Sequence, residues 1–468
     1  MMFRPDDRVL VVGGGISGLG VCRFLLGKNV QITLADRKER KDVSQDILDL
    51  EKFGVQLLLA GRLSEGLKND PEYYQQIKTQ KPWDYVVKSP GIDPSIPLIK
   101  EILELGIPVV GDIELLYSQT KEPIIGITGT NGKTTTTALT GEILKEAGVN
   151  TLVGGNIGRS VLQEAEEFKG AIVLELSSFQ LETCIAFRPY IGVILNVTPD
   201  HLDRHGTMEN YLAAKARIYQ CQTQNDFLVL NYDDPMLRYL PTKPLSKVVY
   251  FSRKEVLPEG VYVEDGKIVI AAQIENKIEK AEVINTKDIF IKGQHNVENA
   301  LAATAAAWCY GVKPEQIGKT LSTFAGVEHR LEVVKEKDGI LYINDSKGTN
   351  PDSTIKALEA YDRPIILLAG GRNKGSNFYS LMPLIKEKVK LLILLGEAKD
   401  DFVAACKCFD YGNYVPVDSF KEAVDTAIAA AIPGDVVMLS PACASWDMFR
   451  NFEERGDLFK ALVKMVTK

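Results

Sequence analysis

Short runs of β-branched and aliphatic residues alternate with amphipathic stretches along almost the whole chain. That is the pattern of parallel α/β sheets, whose strands are buried on both faces. Three segments carry it. The first, 1–112, places strands near RVLVV, VQITLAD, VQLLLA and DYVVK. The second, 113–328, begins with EPIIGITG. The third, 329–468, opens on LEVVKEKDGILYIND, which reads as a hairpin, and alternates again through PIILLAGG, LLILLG and DVVMLSP. The expected fold is α/β with three domains. In open sheets of this kind, ligands sit beyond the carboxyl ends of the strands. Gly13, Asp36, Thr128, Glu175, Asn196, Asp345, Gly370 and Ser440 stand at those ends. Any one of them could simply begin a solvated loop; together they predict three sheets facing a shared cleft.

Composition narrows the class without choosing a function. The 468 residues are 45% hydrophobic and 25% charged, an ordinary globular balance. A net charge of −7 argues against a nucleic-acid surface, though a local Lys/Arg cluster can still bind a small anion. No uninterrupted apolar run approaches membrane-spanning length, and MMFRPDDRVLVVGG reads as a strand rather than a leader. Seven scattered cysteines, with only Cys406 and Cys408 close together, make zinc and a disulfide framework unlikely and fit a reducing cytoplasm. A monomer is the expected state.

The strongest local signal is PIIGITGTNGKTTTTALT, Pro123 to Thr140: an apolar strand, a glycine-and-threonine loop, then a helix start. A strict Walker A places a glycine where Ile127 stands, but Gly126, Gly129 and Gly132 flank that position. Gly129, Thr130, Asn131 and Gly132 can offer N–H groups to phosphate, Lys133 reaches the outer phosphates, and the Thr134 hydroxyl can ligate Mg²⁺. The bland alternative is a glycine turn capping a helix with a surface lysine. Neither NKIE nor NKGS supplies a guanine-reading N-K-x-D, so ATP is favoured over GTP.

Three more side chains fit a metal. AIVLELSSFQLE drives an apolar strand into Glu175, and a carboxylate there needs a cation unless it is a helix cap or partly exposed. His201, in GVILNVTPDHLDRHG, is one of only four histidines; a structural role competes with metal ligation. In MENYLAAKARIYQ, Tyr211, Lys215 and Ile218 share one helix face, which puts the Lys215 ammonium on the apolar stripe. Either its stem packs while its head reaches water, or it is a neutral amine that has captured CO₂. The resulting carbamate would be an anionic oxygen ligand for a second metal.

GITGTNGKTTT, GGNIG, LELSSFQLE, NVTPDHLDRHG, AAKARIY, GQHNVENALAA, EHRLE, NDSKGTNPDST and LSPACASWDMFRNFEERG occur in that order, and together they resemble the Mur ligases of peptidoglycan synthesis. NDSKGTN and SPACASWDMF resemble the member that adds D-glutamate to UDP-N-acetylmuramoyl-L-alanine. The resemblance spans essentially the whole chain. It implies a Rossmann-like N-terminal domain for the UDP sugar, a central ATPase domain with a mostly parallel sheet, and a Rossmann-like C-terminal domain for the amino acid. Carried onto this sequence, it makes Gly129 through Thr135 the ATP phosphate contacts, with Lys133 and Thr134 foremost and Thr135 beside them. Glu175 becomes a ligand of the first Mg²⁺ and His201 of the second, with Lys215 carbamylated. Asn156 falls beside the reacting carboxylate, Asn296 and Asn299 on the adenine side, and Arg330 and Asp345 among the nucleotide contacts of the third domain. Lys347, Thr349, Lys374, Ser445 and Phe452 match positions that hold D-glutamate. Trp446 departs from the smaller aliphatic residue expected beside Ser445.

The first segment has two readings. Gly13, Gly15 and Gly18 in G-x-G-x-x-G spacing, with Asp36 ending the next strand, form a dinucleotide fingerprint that by itself indicates a dehydrogenase. The phosphate loop of the second segment favours the diphosphate of UDP at the same helix start. By resemblance, Ile16 and Ser17 lie against that diphosphate, Asp36 and Arg37 near the uracil or its ribose, and Ser89 to Gly91 nearby. Folylpolyglutamate synthetase, a relative that also couples ATP to adding glutamate, lacks such a leading domain. A nucleotide-dependent switch would leave Glu175, His201 and Lys215 without a task.

Overall fold

The computed structural model describes residues 3–59, 83–156, 161–240, 242–274, 277–373 and 375–466. The chain forms two units, Met1–Asp288 with Glu298–Ser322, and Ile289–Val297 with Thr323–Lys468.

The first unit contains two sheets. Among the described residues the first has five strands: β1 (Arg8–Val12), β2 (Gln31–Asp36), β3 (Gln56–Leu59), β4 (Tyr85–Lys88) and β5 (Val109–Val110). Their order is β3-β2-β1-β4-β5, and every pairing is parallel. The strand order reverses between β1 and β4, so the loops leaving those two strands part there and open a crevice. The first glycine loop follows β1, and Ser89 follows β4.

The second sheet comprises β6 (Ile124–Thr128), β7 (Thr151–Gly155), β8 (Ala171–Glu175), β9 (Ile191–Ile194), β10 (Phe227–Asn231), β11 (Lys247–Ser252), β12 (Gly260–Glu264), β13 (Lys267–Ile274) and β14 (Lys277–Asn285). It runs β14-β13-β12-β11-β10-β9-β6-β8-β7, parallel from β7 to β12 and antiparallel beyond. Strand β6 is buried throughout and lies between β9 and β8, again a point where the strand order switches. One apolar cluster runs from Val11 of the first sheet and Phe24 of the helix after β1 through Leu116 to Leu174 and Ile194 of the second sheet. Glu114, in the helix Asp112–Gln119 that links the sheets, accepts N–H bonds from Ile185, Ala186 and Phe187 at 2.9, 2.9 and 3.1 Å. Those three bonds make its burial tolerable.

Among the described residues the second unit has one sheet: β15 (Glu332–Lys337), β16 (Ile340–Asn344), β17 (Ile365–Gly370), β18 (Val389–Leu395), β19 (Tyr414–Pro416) and β20 (Val436–Leu439). Its order is β15-β16-β20-β17-β18-β19; β15 and β16 form the expected antiparallel hairpin and the rest is parallel. Side chains alternate across a strand, so Ile365, Leu367 and Ala369 feed one apolar cluster while Ile366 and Leu368 feed another. Two cores on one sheet mean helices on both faces.

Candidate active site

The phosphate loop leaves β6, an interior strand between β9 and β8. Gly129 and Gly132 have φ of +155° and +83°, and Gly132 caps the helix Lys133–Glu146 with a left-handed turn. A Cβ on Gly132 would lie 2.2 Å from Asn299 Oδ1, so that position needs glycine for space as well as for backbone angle. Asn299 also accepts from Thr136 Oγ1 at 3.3 Å. Asn296, in the second unit, donates to Lys292 O at 2.7 Å.

Asn196, which the sequence placed at a strand end and to which no role was given, organises the loop. Its Oδ1 accepts from the N–H of Thr130 and Asn131 at 3.1 and 2.9 Å, and its Nδ2 donates to Asn131 O at 3.1 Å. Two of the N–H groups expected to face phosphate are thus turned toward Asn196. Lys133 Nζ folds over the loop and donates to Gly129 O and Thr130 O at 3.0 and 2.8 Å. Thr134 and Thr135 are buried in the first helical turn.

Lys215 donates to the same Gly129 carbonyl at 2.8 Å, so both predicted lysines meet on one oxygen. Burial keeps Lys215 only 1% exposed, as the helix stripe predicted, with Tyr211 and Ile218 buried beside it. Desolvation, reinforced by Lys133, pushes its pKa far below the ordinary lysine value, against a smaller opposing pull from Asp200. Its ammonium lies 4.2 Å from the centre of the Tyr211 ring, whose hydroxyl is 3.4 Å from Thr130 Oγ1.

Strand register places Glu175 opposite Ile127, next to the start of the loop. It is 2% exposed; Oε1 accepts from Asn156 Nδ2 at 3.0 Å, while Oε2 is buried with no hydrogen-bond partner. Leaving such an acceptor unmet costs about 1–3 kcal/mol. Thr128 Oγ1 and Thr198 Oγ1, on the strand end and the loop that flank the same turn, are also buried without partners. An oxygen-rich donor set of this kind suits a hard cation such as Mg²⁺. His201 takes a left-handed backbone, φ +52°, which carries the chain into the short helix Leu202–His205. Its Nε2 is 3.6 Å from Asp200 Oδ2, and its ring meets Phe179 edge-on at 4.9 Å.

At the first sheet, Gly14 N–H donates to Asp36 Oδ2 at 2.7 Å and Lys38 N–H to Asp36 Oδ1 at 2.9 Å. Ser89 Oγ donates to Gly13 O at 2.9 Å. A Cβ on Gly18 would come within 1.8 Å of Gly13 O, which keeps the helix Ile16–Leu26 tight on its loop. Ile16 is exposed at the helix start, as are Arg37 and Gly91. Ser17, expected against a diphosphate, bonds Asp112, whose carboxyl is pushed up by desolvation.

In the second unit, Asp345 is fully buried between Ser440 Oγ at 2.7 Å and Leu331 N–H at 3.3 Å, with Arg330 at 3.8 Å. Burial outweighs Arg330 and raises its pKa to about 6. Lys347 Nζ lies 5.0 Å from the centre of the Phe452 ring; Thr349 follows on the same loop, and Ser445 is buried. Arg455, which the sequence reading passed over, ties these loops together by donating to Ser346 Oγ, Ser346 O and Cys443 O at 3.0, 2.8 and 3.2 Å. Trp446 stands exposed beside Ser445. Lys374 lies outside the described residues. Glu328, His329 and Asp457 cluster closely enough for a metal, but the Lys460 ammonium already bridges Glu328 and Asp457. Among the described residues no helix is long and apolar enough to cross a membrane.

Comparison with known proteins matches three Mur ligase domain models along the chain. Residues 7–111 match a Mur ligase MurD-like N-terminal domain, 127–307 a Mur ligase middle domain, and 329–443 a Mur ligase glutamate ligase domain. The UDP-N-acetylmuramoylalanine–D-glutamate ligase of Pelotomaculum thermopropionicum is 48% identical over 463 residues, 98% of each chain. The ligase of the same name from Caldanaerobacter subterraneus is 44% identical over 466 residues, 99% of each. The solved UDP-N-acetylmuramate-alanine ligase of Thermotoga maritima shares the fold at a TM-score of 0.60 and 19% identity, covering 98% of this chain and 99% of that one.

Proposed function

The chain belongs to the Mur ligase family, and on that premise we propose that it uses ATP to join D-glutamate to UDP-N-acetylmuramoyl-L-alanine in cytoplasmic peptidoglycan precursor synthesis. What carries this reading is the end-to-end identity of 48% with a ligase of that name. The shared Gly129 carbonyl supports it by bringing Lys133 and Lys215 to one phosphate loop. The reading divides the chain into a UDP-sugar domain at 1–112, an ATP domain at 113–328 and an amino-acid domain at 329–468, acting as a monomer.

Joining a carboxylate to an amine in water is uphill, so the carboxylate must be activated first. The terminal carboxylate of the UDP sugar attacks the γ-phosphorus of ATP, ADP leaves, and an acyl phosphate forms. The amine of D-glutamate, having lost its proton, then adds to the acyl carbon, and the tetrahedral intermediate collapses by expelling inorganic phosphate. Lys133 offsets the charge gathering between two anions, which is positioning and electrostatics rather than acid–base work. Thr134, Glu175, His201 and a carbamylated Lys215 would hold two Mg²⁺ ions, which when bound neutralise phosphate charge. Asn156, hydrogen-bonded to Glu175, lies on the side of the reacting carboxylate. Asn296, Asn299, Arg330 and Asp345 face the nucleotide. Ile16, Ser17, Asp36, Arg37, Ser89 and Gly91 serve the UDP end. Lys347 and Lys374 pair with the two carboxylates of D-glutamate, with Thr349, Ser445 and Phe452 completing the pocket. Domain closure keeps water from the acyl phosphate.

The expected result in solution is conditional phosphate release. With Mg²⁺ and ATP present, phosphate accumulates only when UDP-N-acetylmuramoyl-L-alanine and D-glutamate are both added. Steady release with neither substrate indicates a nucleotide switch, and a cofactor absorbance change with NAD indicates an oxidoreductase.

A further inference from the structure

One buried cation stands outside the machinery above. Lys88 is the last residue of β4 and is 1% exposed, yet its ammonium donates to carbonyls rather than to a carboxylate: Ile92 O at 2.8 Å and Ser89 O at 3.3 Å. Burying an ammonium for such partners is costly, and an apolar side chain would serve stability better. The cost is visible in its pKa. Burial, then Arg204, lower it to about 8, against the weaker opposite pull of Glu182, Asp112 and Asp93.

The Ile92 carbonyl has a second donor. Arg204 Nη2 reaches it at 3.2 Å from the short helix after β9, and the same nitrogen donates to Glu182 Oε2 at 3.0 Å. Both lone pairs of one oxygen are therefore filled by cations, one at the end of β4 in the first sheet and one in the short helix that follows β9 of the second. On one side, the turn is fixed to the glycine loop: Ile92 N–H donates to Ser89 O at 3.0 Å, and Ser89 Oγ to Gly13 O at 2.9 Å. On the other side, the Arg204 guanidinium lies 4.5 Å from the centre of the Phe179 ring, whose edge contact with His201 is 4.9 Å. Glu182 further holds His205 Nδ1 at 3.4 Å. A continuous chain of contacts thus runs from the nucleotide-sugar loop to the histidine beside the phosphate loop.

We infer that Lys88 and Arg204 act as a strut through the Ile92 carbonyl, setting how far the UDP-sugar loop stands from His201 and so where the sugar's carboxylate meets ATP. This rests on the ligase reading above, and it makes both residues positioning residues, not groups that touch the reacting atoms. A misplacement of about 1 Å in a two-substrate attack is enough to cost roughly 100-fold in rate.

Steady-state kinetics on Lys88→Met, Lys88→Gln, Arg204→Lys and the double variant Lys88→Met/Arg204→Lys test it, alongside the wild type. The expected result is a loss of about 100-fold in kcat for Lys88→Met with the KM for ATP held within about twofold. Lys88→Gln, whose amide can still donate to Ile92 O, recovers part of that loss. The double variant falls no further than the worse single one, because the two act through one oxygen. Wild-type kcat in Lys88→Met overturns the strut, as do additive losses. So does a parallel loss of ATP binding or of folding in both Lys88 variants, which would make the residue structural only. A wild-type protein that releases no phosphate with both substrates overturns the ligase reading instead.

Discussion

Lys133→Ala is expected to abolish phosphate release, with kcat falling by about 1,000-fold or more when both substrates and ATP are saturating. The loop has little to replace the lost charge. Thr130 and Asn131 have already committed their N–H groups to Asn196, and burial pushes the pKa of Lys215, the other amine at the loop, well below the ordinary lysine value. In this structure the Lys133 ammonium donates to the Gly129 and Thr130 carbonyls of its own loop. Turnover should disappear in protein that is still folded. Assay of phosphate release at matched folded concentration checks this, and wild-type turnover in the variant would end the assignment of ATP to this loop.

Lys215→Ala should be nearly inactive, with short carboxylic acids such as formate or acetate restoring part of the rate. A fully buried ammonium is unfavourable, and desolvation drives the group toward the neutral amine that reacts with CO₂. The adduct, formed with loss of one proton, keeps an N–H that can still donate to Gly129 O and extends two oxygens beyond it. Glu175 Oε2 and the hydroxyls of Thr128 and Thr198 are buried around the same loop without partners, and on the proposed reading the carbamate would add an anionic oxygen ligand for a second cation. Truncation to alanine would remove the proposed carbamate and leave space for a small carboxylate to stand in. A lysine that served only by packing its stem against Tyr211 predicts no rescue by acids, whatever the loss of activity. Rescue is therefore the deciding observation.

How much of this was legible in the sequence depended on separation along the chain. Alternation of apolar runs with amphipathic stretches located strands in all three sheets, and the Glu332–Asn344 hairpin was visible from its own residues. Helical periodicity also placed Lys215 on the buried face with Tyr211 and Ile218, because that signal is local. The contacts that tune the site are not local. Asn196 grips a loop 65 residues upstream, Asn299 packs on Gly132 across a still longer interval, and Ser17 turns to Asp112. Periodicity says which way a side chain points and nothing about what another strand end brings to it. The same reason hid Glu114, whose three N–H donors come from the turn at 185–187 in the next sheet. It hid Arg455 and the doubly bonded Ile92 carbonyl as well.

The central claim is that an organic acid takes the outermost phosphoryl group of ATP before the amine arrives. Synthesis of UDP-N-acetylmuramoyl-L-alanine with both carboxylate oxygens as ¹⁸O, followed by mass analysis of the inorganic phosphate released on adding ATP and D-glutamate, tests it without intermediaries. One ¹⁸O per phosphate is the predicted result, since the bridging oxygen of the acyl phosphate leaves with phosphorus. Phosphate carrying only solvent and ATP oxygen contradicts it.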